Sequence, residues 1–219
     1  MYDYVWPLLI SGGIDTVIMV GISAIFTLLI GLPLAVILVI TDQQGIYPKP
    51  KLNAVLAAIV NITRSIPFLI LMVALIPLTR LLVGSSYGVW AAIVPLSFAA
   101  IPFFARIAEV SLRDVDAGLI EAAQAMGCSR QQIIRHVLLP ESLSAIVAGY
   151  TVTLITMINS SAVAGAIGAG GLGDIAYRYG FQRFDMVVML AVIVVLVALV
   201  MLIQKLGDHF ALQLDKKRL

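Results

Sequence analysis

Five long apolar runs dominate this chain, each about the length of a membrane crossing. A helix needs about 20 apolar residues to cross roughly 30 Å of hydrocarbon. Residues 16–41 carry no charge, 52–77 are interrupted only by Arg64, and 81–105 are uncharged but hold Pro95 and Pro102. A fourth run spans about 140–165, and the fifth, 186–204, is rich in Val and Leu. In lipid, backbone N–H and C=O groups have no water to bond, so such runs fold as helices. Only 12% of residues are charged and 61% are hydrophobic, where a soluble domain has about 25% charged. The chain therefore reads as an all-α polytopic membrane protein of five spans, one transmembrane domain over residues 1–219. Asp15 and Thr16 are candidate N-caps for the first span, and Gly31 with Pro33 predicts a bend within it.

Charge then orients the spans. A net charge of +2 is too small to imply a nucleic-acid partner. Lys and Arg concentrate on the cytoplasmic side of membrane proteins. Segments 42–52, 106–139 and the tail after 204 hold ten of them: Lys49, Lys51, Arg106, Arg113, Arg130, Arg135, Lys205, Lys216, Lys217 and Arg218. The opposite segments hold three, Arg80, Arg178 and Arg183. This predicts the N-terminus outside and the C-terminus in the cytoplasm, with the terminal basic residues near anionic lipid. Met1 to Pro7 carry an acid and no basic residue, unlike the start of a signal peptide, so the first span is expected to direct its own insertion. Cys128 is the single cysteine, and His136 and His209 lie far apart, so no metal-ligand spacing is present.

One polar island, about 116–139, interrupts this pattern on the predicted cytoplasmic side. Asp116 can cap a short helix of strong helix formers through Glu121, Ala122, Ala123 and Met126. Gly127 suits the left-handed position that ends such a helix. Ser129 with Gln132 three residues on is a capping-box pattern for a second helix, which Pro140 is expected to stop. Ala122, Ala123 and Met126 would form a small apolar knob able to enter a partner's groove. The same pattern also fits an amphipathic loop helix resting on the membrane surface.

The spacing E-A-A-x3-G-x9-V-x-L-P, from Glu121 to Pro140, resembles the signature of permease subunits of bacterial ATP-binding-cassette importers, with Val137 where that family usually has Ile. Further strings extend the likeness along the chain: N-I-T-R-S-I-P-F from Asn61, I-P-L-T-R from Ile76, P-F-F-A-R from Pro102 and G-A-I-G-A-G-G-L-G from Gly165. Together they resemble the methionine-uptake permeases. The resemblance implies a type I importer transmembrane fold and a homodimer around one pathway. It also implies two cytoplasmic ATPase subunits and an extracytoplasmic methionine-binding protein. Glu121, Ala122, Ala123, Met126 and Gly127 would then form the coupling helix. ATP and magnesium would be held by the partner ATPase, with no cofactor on this chain. The sequence agrees in lacking a G-x4-G-K-[ST] phosphate loop.

Other positions keep two readings. Arg64 within a span can snorkel, pair structurally or serve as a gating charge, with Asn61 and Ser65 in reach. Asn159, Ser160, Ser161, Ala162 and Val163 either pack closely or line a gate. The aromatics and arginines of 174–185 suit a membrane-interface belt or a docking surface. A permease for another amino acid or an osmolyte, and a secondary transporter or channel, stand as alternatives. The second predicts flux without an ATPase. No Ser/His or paired-Asp arrangement suggests an intramembrane enzyme.

Overall fold

The structure, a computed structural model, describes residues 4–215; Lys216, Lys217 and Arg218 lie outside them. Among the described residues every regular element is helical. The first helix, α1, is Val5–Ile40. Three short helices follow: α2 (Pro50–Ser65), α3 (Phe68–Ala74) and α4 (Ile76–Val83). The long α5 (Val89–Arg113) leads into α6 (Ala117–Ala125) and α7 (Arg130–Ile133). Next come α8 (Leu139–Ala164), the short α9 (Gly171–Ile175) and the long α10 (Met186–Leu214). Among the described residues four stretches are long and apolar enough to cross a membrane: 5–40, 89–113, 130–169 and 186–214. The number reaches five when the bent pair α2–α3 is taken as one span.

The bundle centres on α1, α5 and α8. Lipid tails are as apolar as leucine, so helices associate in a membrane through close packing and hydrogen bonds. Accordingly α1 buries a row of small residues four apart, Ser23, Thr27, Gly31 and Ala35. At Gly31 a Cβ atom would come within 2.9 Å of Phe104 Cδ1 and 3.2 Å of the Ile101 carbonyl oxygen. Phe104 is fully buried and meets Tyr150 of α8 edge-on, ring centroids 5.1 Å apart. The Tyr150 hydroxyl donates to the Ala24 carbonyl at 2.7 Å, closing the triangle back onto α1. The polar side chains in this interior spend their protons on backbone carbonyls: Thr27 on Ser23 at 2.8 Å, Ser23 on Ile93 at 3.3 Å. By contrast α10 buries only Val188 and Val192, and its exposed Leu190, Val194, Val197 and Met201 form a surface suited to lipid.

Several boundaries differ from the sequence expectation. The helix α1 begins at Val5, eleven residues before Thr16, so Asp15 and Thr16 are not caps. Thr16 sits mid-helix, donating to the Gly12 carbonyl at 2.9 Å and accepting from the Leu172 N–H at 2.9 Å. The same helix runs through Gly31 and Pro33 to Ile40. The expected span 52–77 turns by 105° between α2 and α3. Pro67 cannot donate to a helix and drives the preceding residue toward extended backbone; Ile66 has φ −86°, ψ 124°. The third span starts at Val89 rather than at residue 81 and holds Pro95 and Pro102 inside an unbroken α5. The fifth continues past Gln204 to Leu214.

Replacing Gly31 by Leu should separate α1 from α5 and destabilise the bundle by about 1–3 kcal/mol, the usual cost of overpacking. Thermal unfolding of the detergent-solubilised protein, followed by size-exclusion fluorescence, should show a lower midpoint than the parent or Gly21→Leu. At Gly21 a Cβ has open space.

Candidate functional site

A rigid knob stands at one end of the bundle. Asp116 caps α6, its carboxylate accepting from the Gly118 N–H at 2.7 Å. At the other end Gly127 is left-handed (φ +79°). Its N–H reaches the Gln124 carbonyl at 2.9 Å and the Cys128 N–H reaches Ala123 at 3.1 Å, the paired bonds of a Schellman termination. A capping box follows at once: the Ser129 N–H donates to Gln132 Oε1 at 2.7 Å, and the Gln132 N–H to Ser129 Oγ at 3.4 Å. Three local motifs therefore fix a helix–turn–helix whose connection has no slack.

The knob's surface differs from the expected one. Ala123 is buried against the bundle, 2% exposed, and anchors the knob. The exposed apolar stripe is Leu119, Ala122 and Met126, with Met126 76% exposed. Spacings of three and four residues along one helical face were the available signal for Leu119. Glu121 is exposed and does not cap the helix, since Asp116 does.

An ion-pair cluster beneath the knob went unread in the sequence. Glu109 is 3% exposed. Its carboxylate accepts from Arg106 Nη1 at 2.8 Å and from Arg113 Nη2 at 2.9 Å and Nε at 3.0 Å. Arg113 also pairs with Asp42, just past α1. The Arg113 hydrogen bond, helped by the Gln43 backbone N–H, holds the Asp42 carboxyl below its ordinary range. The positions 106, 109 and 113 share a helical face, which was the signal. The cluster ties the ends of α1 and α5 together directly before α6. Arg130 lies over the Tyr47 ring at 4.7 Å, joining the 41–49 loop to the second half of the knob.

Pro140 does not end the helix from Arg130. Residues 134–138 widen into a π-type turn, with the Leu139 N–H bonding the Ile134 carbonyl five residues back. The wider turn absorbs the bond that Pro140 cannot make. The helix thus continues to the glycine-rich stretch after Ala164. There the backbone folds back on itself: a Cβ on Gly173 would lie 2.3 Å from the Ala162 carbonyl oxygen, so only glycine fits.

The candidate pathway residues separate. Asn159 and Val163 are exposed, on one face of α8 with Val152. Ser160 lines a half-open cavity beside the α2–α3 break. Ser161 is buried, its hydroxyl donated to the Ile158 carbonyl at 2.7 Å, and the Ala162 backbone packs on Gly173. These two therefore serve packing rather than an open face. Arg64 is exposed at the same cavity, its guanidinium carbon 5.9 Å from the Phe103 ring centre. The Ser65 hydroxyl donates to the Asn61 carbonyl at 2.8 Å.

At the opposite end, residues 174–185 hold one another. Arg178 pairs with Asp174, Arg183 covers the Tyr179 ring at 4.5 Å, and Tyr177 stacks on Phe181. Asp185 caps α10 by accepting from the Val187 and Val188 N–H groups, and the Tyr4 hydroxyl donates to it.

A multi-span bundle with a broken helix, a cavity and a rigid knob at one end is the form of a transport permease. The chain belongs to the family of binding-protein-dependent transport system inner membrane components, whose model matches residues 28–215. It is 49% identical over 210 residues to a probable D-methionine transport system permease protein MetI from Vibrio cholerae serotype O1, covering 96% of this chain and 93% of that one. The methionine import system permease protein MetP of Bacillus subtilis is 43% identical, over 83% of this chain and 82% of its own. Among solved structures, an inward-facing form of the MetNI methionine ABC transporter superposes with a TM-score of 0.95 at 48% identity, covering 98% of this chain and 99% of that one. An amino acid ABC transporter with histidines shares the fold at TM-score 0.78 and 21% identity, over 94% of each chain.

Two outcomes follow from the knob and its support. Nothing lies within 4 Å of a Cβ built on Gly127, so Gly127→Ala should cost only the left-handed backbone strain, about 1 kcal/mol. It should appear as faster amide exchange at residues 127–132 with the rest of the bundle unchanged. Because the Asp42 carboxyl is depressed, its pair with Arg113 contributes fully above the ordinary carboxylate range. That contribution fades as pH falls through the lowered folded value. Carbon NMR of Asp42 should give a midpoint below the ordinary carboxylate range, rising toward it in Arg113→Gln.

Proposed function

We propose that this chain is the permease subunit of an ATP-driven methionine importer and works as a homodimer around one pathway. The observation that carries the reading is the knob: an exposed Leu119–Ala122–Met126 stripe, capped at both ends and anchored by Ala123, in a chain closely similar to named methionine permeases. An apolar helix face of this kind suits a groove in a partner, and the partner is a cytoplasmic ATPase subunit, one per copy. The knob end carries Lys49, Lys51, Arg106, Arg113, Arg130, Arg135 and Lys205, which supports a cytoplasmic placement. The N-terminus is then outside and the C-terminus in the cytoplasm.

ATP and magnesium belong to the ATPase, and this chain performs no chemistry. ATP binding draws the two ATPase subunits together and carries the seated knobs with them. The continuous helix from Arg130 and the ion-paired end of α5 pass that movement to the spans, whose exposed Asn159–Val163 face adjoins the pathway. The spans open outward, receive the amino acid from an extracytoplasmic binding protein and reset after hydrolysis.

Proteoliposomes holding this chain and its ATPase, with binding protein outside and ATP inside, should take up labelled methionine. Uptake should require every component and be blocked by unlabelled methionine but not by betaine. ATP-dependent uptake of another solute would replace the cargo, and ion-driven flux by the chain alone would overturn the assignment. Met126→Asp and Gly127→Asp should both remain in the membrane yet lose uptake about tenfold or more, since a charge in a packed hot spot costs about 2 kcal/mol or more.

A further inference from the structure

The cavity beside the α2–α3 break has a volume of about 260 Å³ and a lining divided by chemistry. Its floor is apolar, from Phe68, Leu71, Leu96 and Met157. Arg64 stands at its edge, and its guanidinium takes no ion-pair partner among the described residues. Thr63 and Thr156, also on the wall, each donate the hydroxyl proton to the carbonyl four residues back, at 2.9 Å. With that proton spent, each oxygen offers the cavity only lone pairs. The half-buried Ser160 hydroxyl lies beside them and can donate or accept.

The cavity therefore presents a donor-only cation, acceptor-only hydroxyls and an apolar floor within one small volume. A carboxylate, an ammonium and an apolar side chain on a single small molecule complement all three. The setting agrees. Irregular backbone at membrane depth persists where it lines a cavity, as it does at the interrupted helices of secondary transporters. Ile66, the extended residue of the break, is itself in the lining. The Arg64 guanidinium, exposed beside the Phe103 ring, is a charge that within a membrane calls for an anion or water.

We propose that this cavity is a transient site for a free zwitterionic amino acid with an apolar side chain. Arg64 holds the carboxylate, Thr63 and Thr156 receive the ammonium, and the side chain lies on Leu71 and Met157. The inference rests on the import reading above and adds a specificity-determining site within the spans. Arg64 acts as an anion clamp, and the threonines act by what their spent protons leave exposed.

The test uses the full assembly of this chain with its ATPase and binding protein in proteoliposomes, with a diazirine analogue of methionine as probe. Under ATP turnover, the probe should label peptides holding Phe103 or Met157. Excess methionine should abolish the labelling, and methioninol, which lacks the carboxylate, should not. Arg64→Gln should lower labelling at sub-saturating probe about tenfold to a hundredfold, the range for losing a charged hydrogen bond. Arg64→Lys should recover most of it. Thr156→Val should weaken labelling several-fold and keeps the test open if Arg64→Gln does not assemble. Labelling absent from these peptides, equal in Arg64→Gln, or competed equally by methioninol would overturn the site. So would a phospholipid bound to the parent assembly and lost in Arg64→Gln by native mass spectrometry. Absent methionine uptake by the parent would remove the import reading and the site together. Parent-like uptake by assembled Arg64→Gln would remove the site alone.

Discussion

The close approach of α1 to α5 is the contact on which the other helices depend. Inside a bilayer there is no hydrophobic gain in pressing one apolar helix on another, so the association must come from fit and from a few hydrogen bonds. Gly31 admits Phe104, Phe104 positions Tyr150, and the Tyr150 hydroxyl returns to the α1 backbone at Ala24. Each step uses one helix to locate the next. With α1, α5 and α8 fixed in this way, the shorter α2–α4 segment and the lipid-facing α10 can be arranged around them.

Proline has opposite effects in this frame. Pro95 and Pro102 are buried inside α5, which continues as one helix past both of them. Pro140 is accommodated by widening one turn. Pro67 is exposed, Ile66 before it is extended, and the chain turns by 105° there. The local chemistry is the same at each position, and the difference lies in what surrounds the carbonyl left without a donor.

That difference explains which features could be read from residues alone. The Asp116 cap, the Gly127 turn and the Ser129–Gln132 box are complete within a few residues, and the structure has all three as read. Four of the five expected spans follow from apolar length against bilayer thickness, and the fifth only when the bent α2–α3 pair is taken as one. Tertiary context decided the rest. The start of α1 moved to Val5 because Asp15 and Thr16 fit inside the helix, where Thr16 bonds Gly12 and Leu172 instead of a free helix end. Ala123 turned inward and Leu119 outward because a short helix has no hydrophobic face of its own until the bundle offers one. Glu109 looked like one more charge at a membrane edge. Its pairing with Arg106 and Arg113 lay open in their shared helical face, but its burial and the Asp42 brought to Arg113 from beyond α1 did not. The family strings pointed to the correct class of protein, but they carry no information about which side of α8 Ser161 faces.

The helical run from Arg130 to Ala164 has a mechanical meaning. Its 35 residues measure about 50 Å at 1.5 Å per residue, longer than the hydrocarbon is thick. Such a rod is irregular at 134–138 and ends in a break at 165–169, where Ile167 and Gly168 leave helical backbone. It behaves as a beam with two compliant joints, one beside the knob and one in the glycine-rich stretch. A small tilt imposed at one joint arrives at the other as a much larger sideways travel.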